Sequence, residues 1–269
     1  MLQFDWNRIR DILRTDLITM RGGKNNSRTA VAAIMLLFGA LGFVFSTLIG
    51  LYVPLIVGGF FVPMLFQNEM KYHCEKMYAL LPVPRKTLVQ SRFLLTIGLY
   101  LAVNLVYYLL MLLSLRLHLW NVVMGEGGEY LDILSLIAKR MGISTLGLFH
   151  VCYALVTAAG LWSAASSLRK YFKDSSRLTT SLNLTNMRKA GKGEYVLAGI
   201  IFGVLILWAL ILTDTLPLGT AAAVVIALMQ QLITIGDGIL FVLMMLLIGM
   251  MMGVYHYICT ILEFEDKEL

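Results

Sequence analysis

Long runs without a charged side chain alternate along this chain with short, densely charged segments. The uncharged runs cover residues 29–68, 93–115, 141–168, 195–213 and 238–262. A helix needs about 20 mostly apolar residues to cross the hydrocarbon core of a membrane. Each of the last four runs therefore predicts one spanning helix. The first run is long enough for two, at about 30–48 and 52–67, so the pattern predicts six spans.

The composition agrees with this pattern. Hydrophobic residues make up 59% of the 269 residues and charged residues 14%, whereas soluble domains carry about 25% charged residues. The three cysteines, Cys74, Cys152 and Cys259, form no CxxC pair, so neither a disulfide framework nor a metal site is predicted. We expect an all-α, multi-pass membrane protein whose single domain covers residues 1–269.

The basic residues predict the orientation in the membrane. If both termini are cytoplasmic, nineteen of the 22 Lys and Arg residues lie inside, and only Arg116, Lys139 and Arg140 lie outside. Such a bias is what the positive-inside rule describes. The net charge of +6 therefore indicates topology and contact with anionic membrane lipid. It does not indicate nucleic-acid binding.

The first 28 residues precede all of the apolar runs. Within residues 2–21, the side chains of Trp6, Ile9, Leu13 and Leu17 share one helical stripe, and the charged residues, Asp16 among them, lie mostly elsewhere. This pattern predicts an amphipathic helix in the membrane interface. It can serve as a simple surface anchor, or it can also contact a cytoplasmic partner.

Residues 67–92 form a charged insert between two apolar runs. Met70, Cys74, Met77 and Leu81 recur at helical spacing, and Lys71 and Glu75 are four residues apart. Pro82 and Pro84 then force a bend before a helix resumes through Arg85, Lys86 and Arg92 into the third span. The sequence predicts a short surface helix, an elbow and a membrane helix.

This insert carries a family resemblance. Glu75, Tyr78, the Leu-Leu-Pro-Val run at 80–83, the basic pair at 85–86 and Arg92 resemble the coupling segment of type 2 ABC transporter permeases. The resemblance implies that residues 67–92 dock into a cleft of a separate ATPase and that residues 1–28 form the connecting helix. The residues implied to bind the ATPase are Glu69, Lys71, His73, Glu75, Lys76, Tyr78, Leu81 and Arg85.

The same resemblance implies the partners and the location. It implies two copies of the ATPase, which hold ATP and Mg, and a second permease subunit that is either identical (a homodimer) or similar. No cofactor is expected on this chain. Among family members the chain is most similar to bacterial exporters of peptides of the phenol-soluble-modulin or bacteriocin kind, which implies a place in the bacterial cytoplasmic membrane.

Residues 215–236 allow two interpretations. They carry no charge, and their length would allow a seventh span that places the C-terminus outside. Pro217 and Gly219 interrupt one end, however, and Gln230 and Gln231 interrupt the other. We predict a half-inserted outer helix between spans five and six, which is also what the resemblance implies.

Polar and flexible residues inside the spans are candidates for a cargo pathway. They are Asn104, His150, Met244, Met245 and Met251. For Asn104, helix packing is the competing interpretation, and for the methionines it is contact with lipid. His150 is either functional or a simple interhelical donor. Gly249 and Gly253 have the GxxxG spacing of closely packed helices.

Several kinds of chemistry are absent from the sequence. It contains no GxxxxGK[ST], HExxH or GxSxG motif, so we expect no enzyme activity. His150 is taken as the only ionisable residue well inside a span apart from Tyr and Cys, which disfavours ion coupling. We therefore predict a permease subunit of an ATP-driven exporter for a hydrophobic or amphipathic cargo, with peptide favoured. The alternative is a non-transporting membrane scaffold or sensor that recruits a cytoplasmic partner.

Overall fold

The computed structural model describes eleven stretches of the chain, and their regular structure is entirely helical. They are residues 6–21, 33, 35–37, 39–43, 50–71, 84–117, 135, 138–139, 142–173, 231 and 233–265. Five long helices lie in them: α1 Trp6–Arg21, α2 Tyr52–Lys71, α3 Arg85–Leu117, α4 Thr145–Lys173 and α5 Ile239–Glu265. A 3-10 turn, Ile235–Gly238, leads into α5.

Three helices of the described part are long and apolar enough to cross a membrane. They are Arg85–Leu117, Thr145–Lys173 and Ile235–Phe264, and they contain the predicted third, fourth and sixth spans. Helix α2 contains the predicted second span, and described residues between 33 and 43 belong to the first. The helical membrane class is thus confirmed. The fifth span at 195–213 and the half-inserted helix lie outside the described residues, except for the last few residues before Asp237, so the total of six spans stays a prediction.

Helix α1 packs on the bundle with a face that differs from the predicted stripe. Ile9 is buried, and Ile12 and Leu13 pack against the apolar core, but Trp6 is 62% exposed. Asp16 is buried. The packed face therefore excludes Trp6 and includes Asp16. Asp16 can be buried because its carboxylate pairs with the guanidinium of Arg92.

Tight glycine contacts bring α2 and α4 together. A Cβ atom on Gly58 would overlap the backbone of Gly160, and a Cβ atom on Gly160 would overlap the Tyr100 hydroxyl and the Pro54 carbonyl. Tyr100 lies on α3, and its hydroxyl donates to the carbonyl of Thr157 at 2.8 Å. Three helices thus meet at van der Waals distance around Tyr100, as small residues permit in a membrane.

The part of the first span that the structure describes packs along α3. The Tyr107 hydroxyl donates to the carbonyl of Met35 at 3.1 Å, and the Ser114 hydroxyl donates to the carbonyl of Phe43 at 2.6 Å. Each hydrogen bond provides an acceptor for a hydroxyl of the apolar helix α3, because the core of a bilayer contains no water that could bond to it. The first span and α3 are therefore neighbours.

At one end of α4, Ser144 joins α4 to the turn before α5. Its hydroxyl accepts the N–H of Gly147 at 2.9 Å and so caps the helix. Its own N–H donates to Asp237 Oδ1 at 3.0 Å, and its hydroxyl donates to Oδ2. The turn needs left-handed backbone, with φ of 61° at Gly236, 53° at Asp237 and 90° at Gly238.

Candidate functional site around Arg92

The predicted coupling segment, residues 67–92, is described at both of its ends. Helix α2 runs to Lys71 and therefore contains Glu69 and Lys71, and α3 begins at Arg85. The remaining predicted ATPase contacts, His73, Glu75, Lys76, Tyr78 and Leu81, lie outside the described residues. The candidate site is therefore built from the helix ends that flank residues 72–83.

The entry to this segment is bent. Phe66 has φ −104° and ψ 16° inside α2, angles near the sparsely allowed bridge region between helix and strand. Its side chain is almost completely buried, and its ring stacks on Tyr171 of α4 with centroids 5.2 Å apart. The residue at which α2 changes direction is thus held inside the bundle.

The exit from the segment is organised by Arg92, whose side chain is completely buried. Its guanidinium lies 3.6 Å from the Asp16 carboxylate of α1 and donates a hydrogen bond to the Tyr171 hydroxyl of α4. It also lies 4.8 Å from the ring centroid of Phe66 and 5.3 Å from that of Tyr171. One side chain of α3 therefore contacts α1, α2 and α4.

The chemistry of this cluster requires arginine. Burying a charge is costly unless it is paired and hydrogen-bonded, and removing one partner of a buried pair costs about 3–5 kcal/mol. Guanidinium is planar, so it can stack on two rings and still present its N–H groups to a carboxylate and a hydroxyl. Desolvated cation–π contacts contribute about 2 kcal/mol. The buried Arg92 cation therefore holds α1, α2 and α4 against α3 through an ion pair, a hydrogen bond and two ring contacts.

Arg85, the first residue of α3, is bound to the last turn of α5. Its Nη1 donates to the carbonyl of Phe264 at 3.3 Å, and its guanidinium lies 5.9 Å from the Phe264 ring centroid. Carbonyls in the last turn of a helix lack intrahelical partners, so a cation there is favourable. Phe264 in turn packs edge-to-face on Phe172 of α4 at 5.0 Å. The start of α3 is thus linked to α4 and α5 as well.

A second ion pair joins α4 and α5 nearby. Arg169 donates from Nε to Glu263 Oε2 at 3.2 Å and from Nη2 to Oε1. The two side chains are 28% and 33% exposed. Because water screens such a pair, it contributes much less to stability than the buried contacts of Arg92.

Three of the predicted cargo-pathway residues lie near one aromatic cluster formed by Tyr108, Phe149 and Tyr153. Asn104 is buried; its backbone carbonyl accepts the Tyr153 hydroxyl at 2.6 Å, and its side-chain amide donates to the backbone carbonyl of Tyr100 at 2.8 Å. The ring of His150 lies 5.9 Å from that of Tyr108, and Met245 packs against the same apolar cluster.

The other residues predicted within α5 lie elsewhere. Met244 and Met251 are on its exposed side, and Met251 is 63% exposed. A Cβ atom on Gly249 would lie 3.1 Å from Ala158 of α4, whereas one on Gly253 would meet no atom within 4 Å. The two glycines of the GxxxG pair thus have different surroundings among the described residues.

Sequence reasoning missed several residues of these contacts. Asp16 was assigned to the polar side of α1, and Tyr171 and Phe66 carry no local signal of a polar partner. The view that His150 is the only such ionisable residue was wrong, because His256 also lies in the sixth span and accepts the Trp162 indole N–H at 2.9 Å. The position of His256 in an apolar run was visible in the sequence. Among the described residues, no cluster of three His, Cys, Asp or Glu could hold a metal ion.

Comparison with known proteins gives one match. Residues 12–126 match the family model for the ABC-2 family transporter protein, a range shorter than half of the 269 residues. It contains Asp16, Phe66 and Arg92 and all of residues 67–92, whereas Tyr171 lies beyond it. No curated protein and no solved structure gives a significant match. Over residues 12–126, the chain is therefore similar to the ABC-2 family transporter protein, and this match confirms the resemblance predicted from the sequence.

Proposed function

We propose that the chain is the permease subunit of an ATP-driven ABC exporter and that residues 67–92 dock its ATPase. The observation that carries this proposal is the family match, because residues 12–126 include the whole segment. The geometry supports it. Helices α1, α2, α3 and α4 converge at Arg92, where the segment joins the membrane helices. A force applied to residues 72–83 would therefore reach several helices at once.

The proposed cycle needs two ATPases and two permease subunits. ATP and Mg bind to the ATPases, whose closure displaces both coupling segments. Rigid-body movement of packed helices then exchanges inward- and outward-facing states. The sequence contains no GxxxxGK[ST] motif for binding ATP. In the proposed cycle, the chain responds to movement of the ATPases. The second subunit is a further copy of this chain or a similar one.

The proposed cargo is a hydrophobic or amphipathic peptide that leaves the cell. The apolar spans suit such a cargo, since they offer no charged partner to a small ion. Helix α5 supports this proposal with a run of exposed methionines, Met250, Met251 and Met252. Flexible thioether side chains adapt to apolar surfaces of varied shape.

Purification from the native host in mild detergent tests the proposal. We expect a soluble ATPase to accompany the chain, and we expect Glu75→Lys combined with Tyr78→Ala to abolish its recovery while the chain still inserts. Lys139→Glu, an exposed position in the predicted outer loop, is the matched control and should leave the complex intact. A chain that purifies alone, or with a partner that is no ATPase, would contradict the proposal and favour the scaffold or sensor.

A further inference from the structure

We infer that Arg92 is a positioning residue that sets the register of α1 against the coupling segment, so that the two move as one unit. This inference rests on the proposed function for its consequence, although the attachment itself does not depend on transport. It concerns α1, which the sequence predicts to be an amphipathic helix in the membrane interface.

Apolar and charged contacts both hold α1 on the bundle. Ile9 is buried, and Ile12 and Leu13 pack on the apolar core. Apolar contacts of this kind are non-directional, so they hold the helix near the bundle but allow it to slide or rotate. Asp16 is different, because its carboxylate lies 3.6 Å from a guanidinium that is itself completely buried. Separating this ion pair in the low-dielectric interior is costly, so the pair opposes both rotation of α1 and its sliding along α3.

Arg92 cannot follow Asp16 if α1 is displaced. Its guanidinium packs against the stacked rings of Phe66 and Tyr171, at 4.8 and 5.3 Å from their centroids, and it donates a hydrogen bond to the Tyr171 hydroxyl. Phe66 is the kink residue of α2, at the entry to the segment. The same side chain thus connects α1 to the residue where the coupling segment begins.

The consequence concerns the efficiency of coupling. A push on residues 72–83 moves the end of α2 and the start of α3, and the Arg92–Asp16 pair carries that movement to α1. If that link is lost, α1 slips, and ATP hydrolysis continues with less movement of the membrane helices. Weakening the Arg92–Asp16 pair should therefore lower transport per ATP more than it lowers ATPase activity.

The first test measures the attachment of α1 without any transport. In a background in which the three native cysteines are replaced by serine, Ile9→Cys is labelled with a hydrophilic maleimide in native membranes. Adding Arg92→Lys or Asp16→Asn should raise the labelling rate several-fold, because α1 then exposes its packed face. Asp11→Asn is the matched control on the same helix, since Asp11 pairs with Arg10 at an exposed position. It should leave the rate unchanged.

The second test measures coupling in the complex with its ATPase. Inside-out vesicles take up a fluorescent amphipathic helical peptide, and uptake is divided by ATP hydrolysed. We expect Asp16→Asn and Arg92→Lys to lower this ratio on the order of tenfold with ATPase activity retained, and Asp11→Asn to preserve it. If the Arg92→Lys variant does not accumulate in the membrane, the uptake per ATP of the Asp16→Asn variant alone tests the inference.

Two results would overturn the inference. One is an unchanged labelling rate at position 9 in both variants, and the other is an unchanged uptake per ATP. Absence of an ATPase partner would instead remove the proposed function, and the labelling result would still decide whether Arg92 positions α1. The two failures are therefore distinguishable.

Discussion

Single residues decide how closely the helices of this protein approach. Gly58 and Gly59 are adjacent on α2, yet a Cβ atom on Gly58 would overlap the backbone of Gly160, whereas one on Gly59 would meet no atom of the described residues within 4 Å. Backbone atoms of a packed helix cannot move aside as a flexible side chain can. The first glycine is therefore required by packing, and the second is not.

We expect Gly58→Ala to destabilise the protein by about 1–3 kcal/mol, the usual cost of inserting a methyl group into a packed core. Gly59→Ala should be neutral or stabilising, since alanine favours a helix by up to about 1 kcal/mol over glycine. Thermal unfolding of the two purified variants in the same detergent measures the difference. Equal unfolding temperatures would contradict the close α2–α4 crossing.

At the scale of elements, α4 and α5 are joined along their whole length. Ser144 and Asp237 hold one end, Trp162 and His256 are hydrogen-bonded between the ends, and Arg169 and Glu263 hold the other end. In the chain, α4 ends at Lys173 and α5 begins only at Ile239, so the two helices are not neighbours in sequence. Side-chain contacts therefore hold the two helices together, and the Ser144 hydroxyl both caps α4 and donates to the turn before α5.

Ser144→Ala should lower stability by about 1 kcal/mol, the typical cost of losing a helix N-cap. The loss has a second cause, because the hydroxyl also donates to Asp237. Ser144→Thr retains the hydroxyl and should remain close to the original protein. Denaturation of the three proteins in mixed micelles provides the comparison, and an alanine variant as stable as the threonine variant would refute the role of the hydroxyl.

At the scale of the whole molecule, the described helices form a bundle with broad apolar outer faces. Leu101, Leu105 and Leu109 of α3 are exposed, as are Leu243 and Leu247 of α5. In a membrane such faces contact lipid or neighbouring helices without cost. The number of spans then determines on which side of the membrane the C-terminus lies.

Cysteine labelling of intact cells distinguishes six spans from seven. In a cysteine-free background, Lys139→Cys should react with a membrane-impermeant maleimide from outside, and Lys267→Cys should react only after the cells are permeabilised. The positive-inside bias of the predicted loops is the reason for this expectation. Labelling of Lys267→Cys in intact cells would show that residues 215–236 cross the membrane.

The sequence alone determined the helical membrane class, three of the spans and the resemblance of residues 12–126 to the ABC-2 family. These depend on local properties, because an uncharged run of about 20 residues satisfies its own backbone hydrogen bonds as a helix in lipid, and a motif is read from neighbouring residues. It also located Arg92 at the entry to the third span. The apolar stripe in the sequence did not show which face of α1 packs on the bundle.

Only the tertiary structure decided which polar residues meet. Asp16 and Arg92, Trp162 and His256, and Arg85 and the Phe264 carbonyl are distant in the chain, and no periodicity relates their positions. The sequence likewise does not show which of Gly58 and Gly59 faces another helix. The physical reason is that a buried charge needs an opposite charge beside it, and a glycine in a helix matters only where another helix lies against it. The packing of the helices determines both.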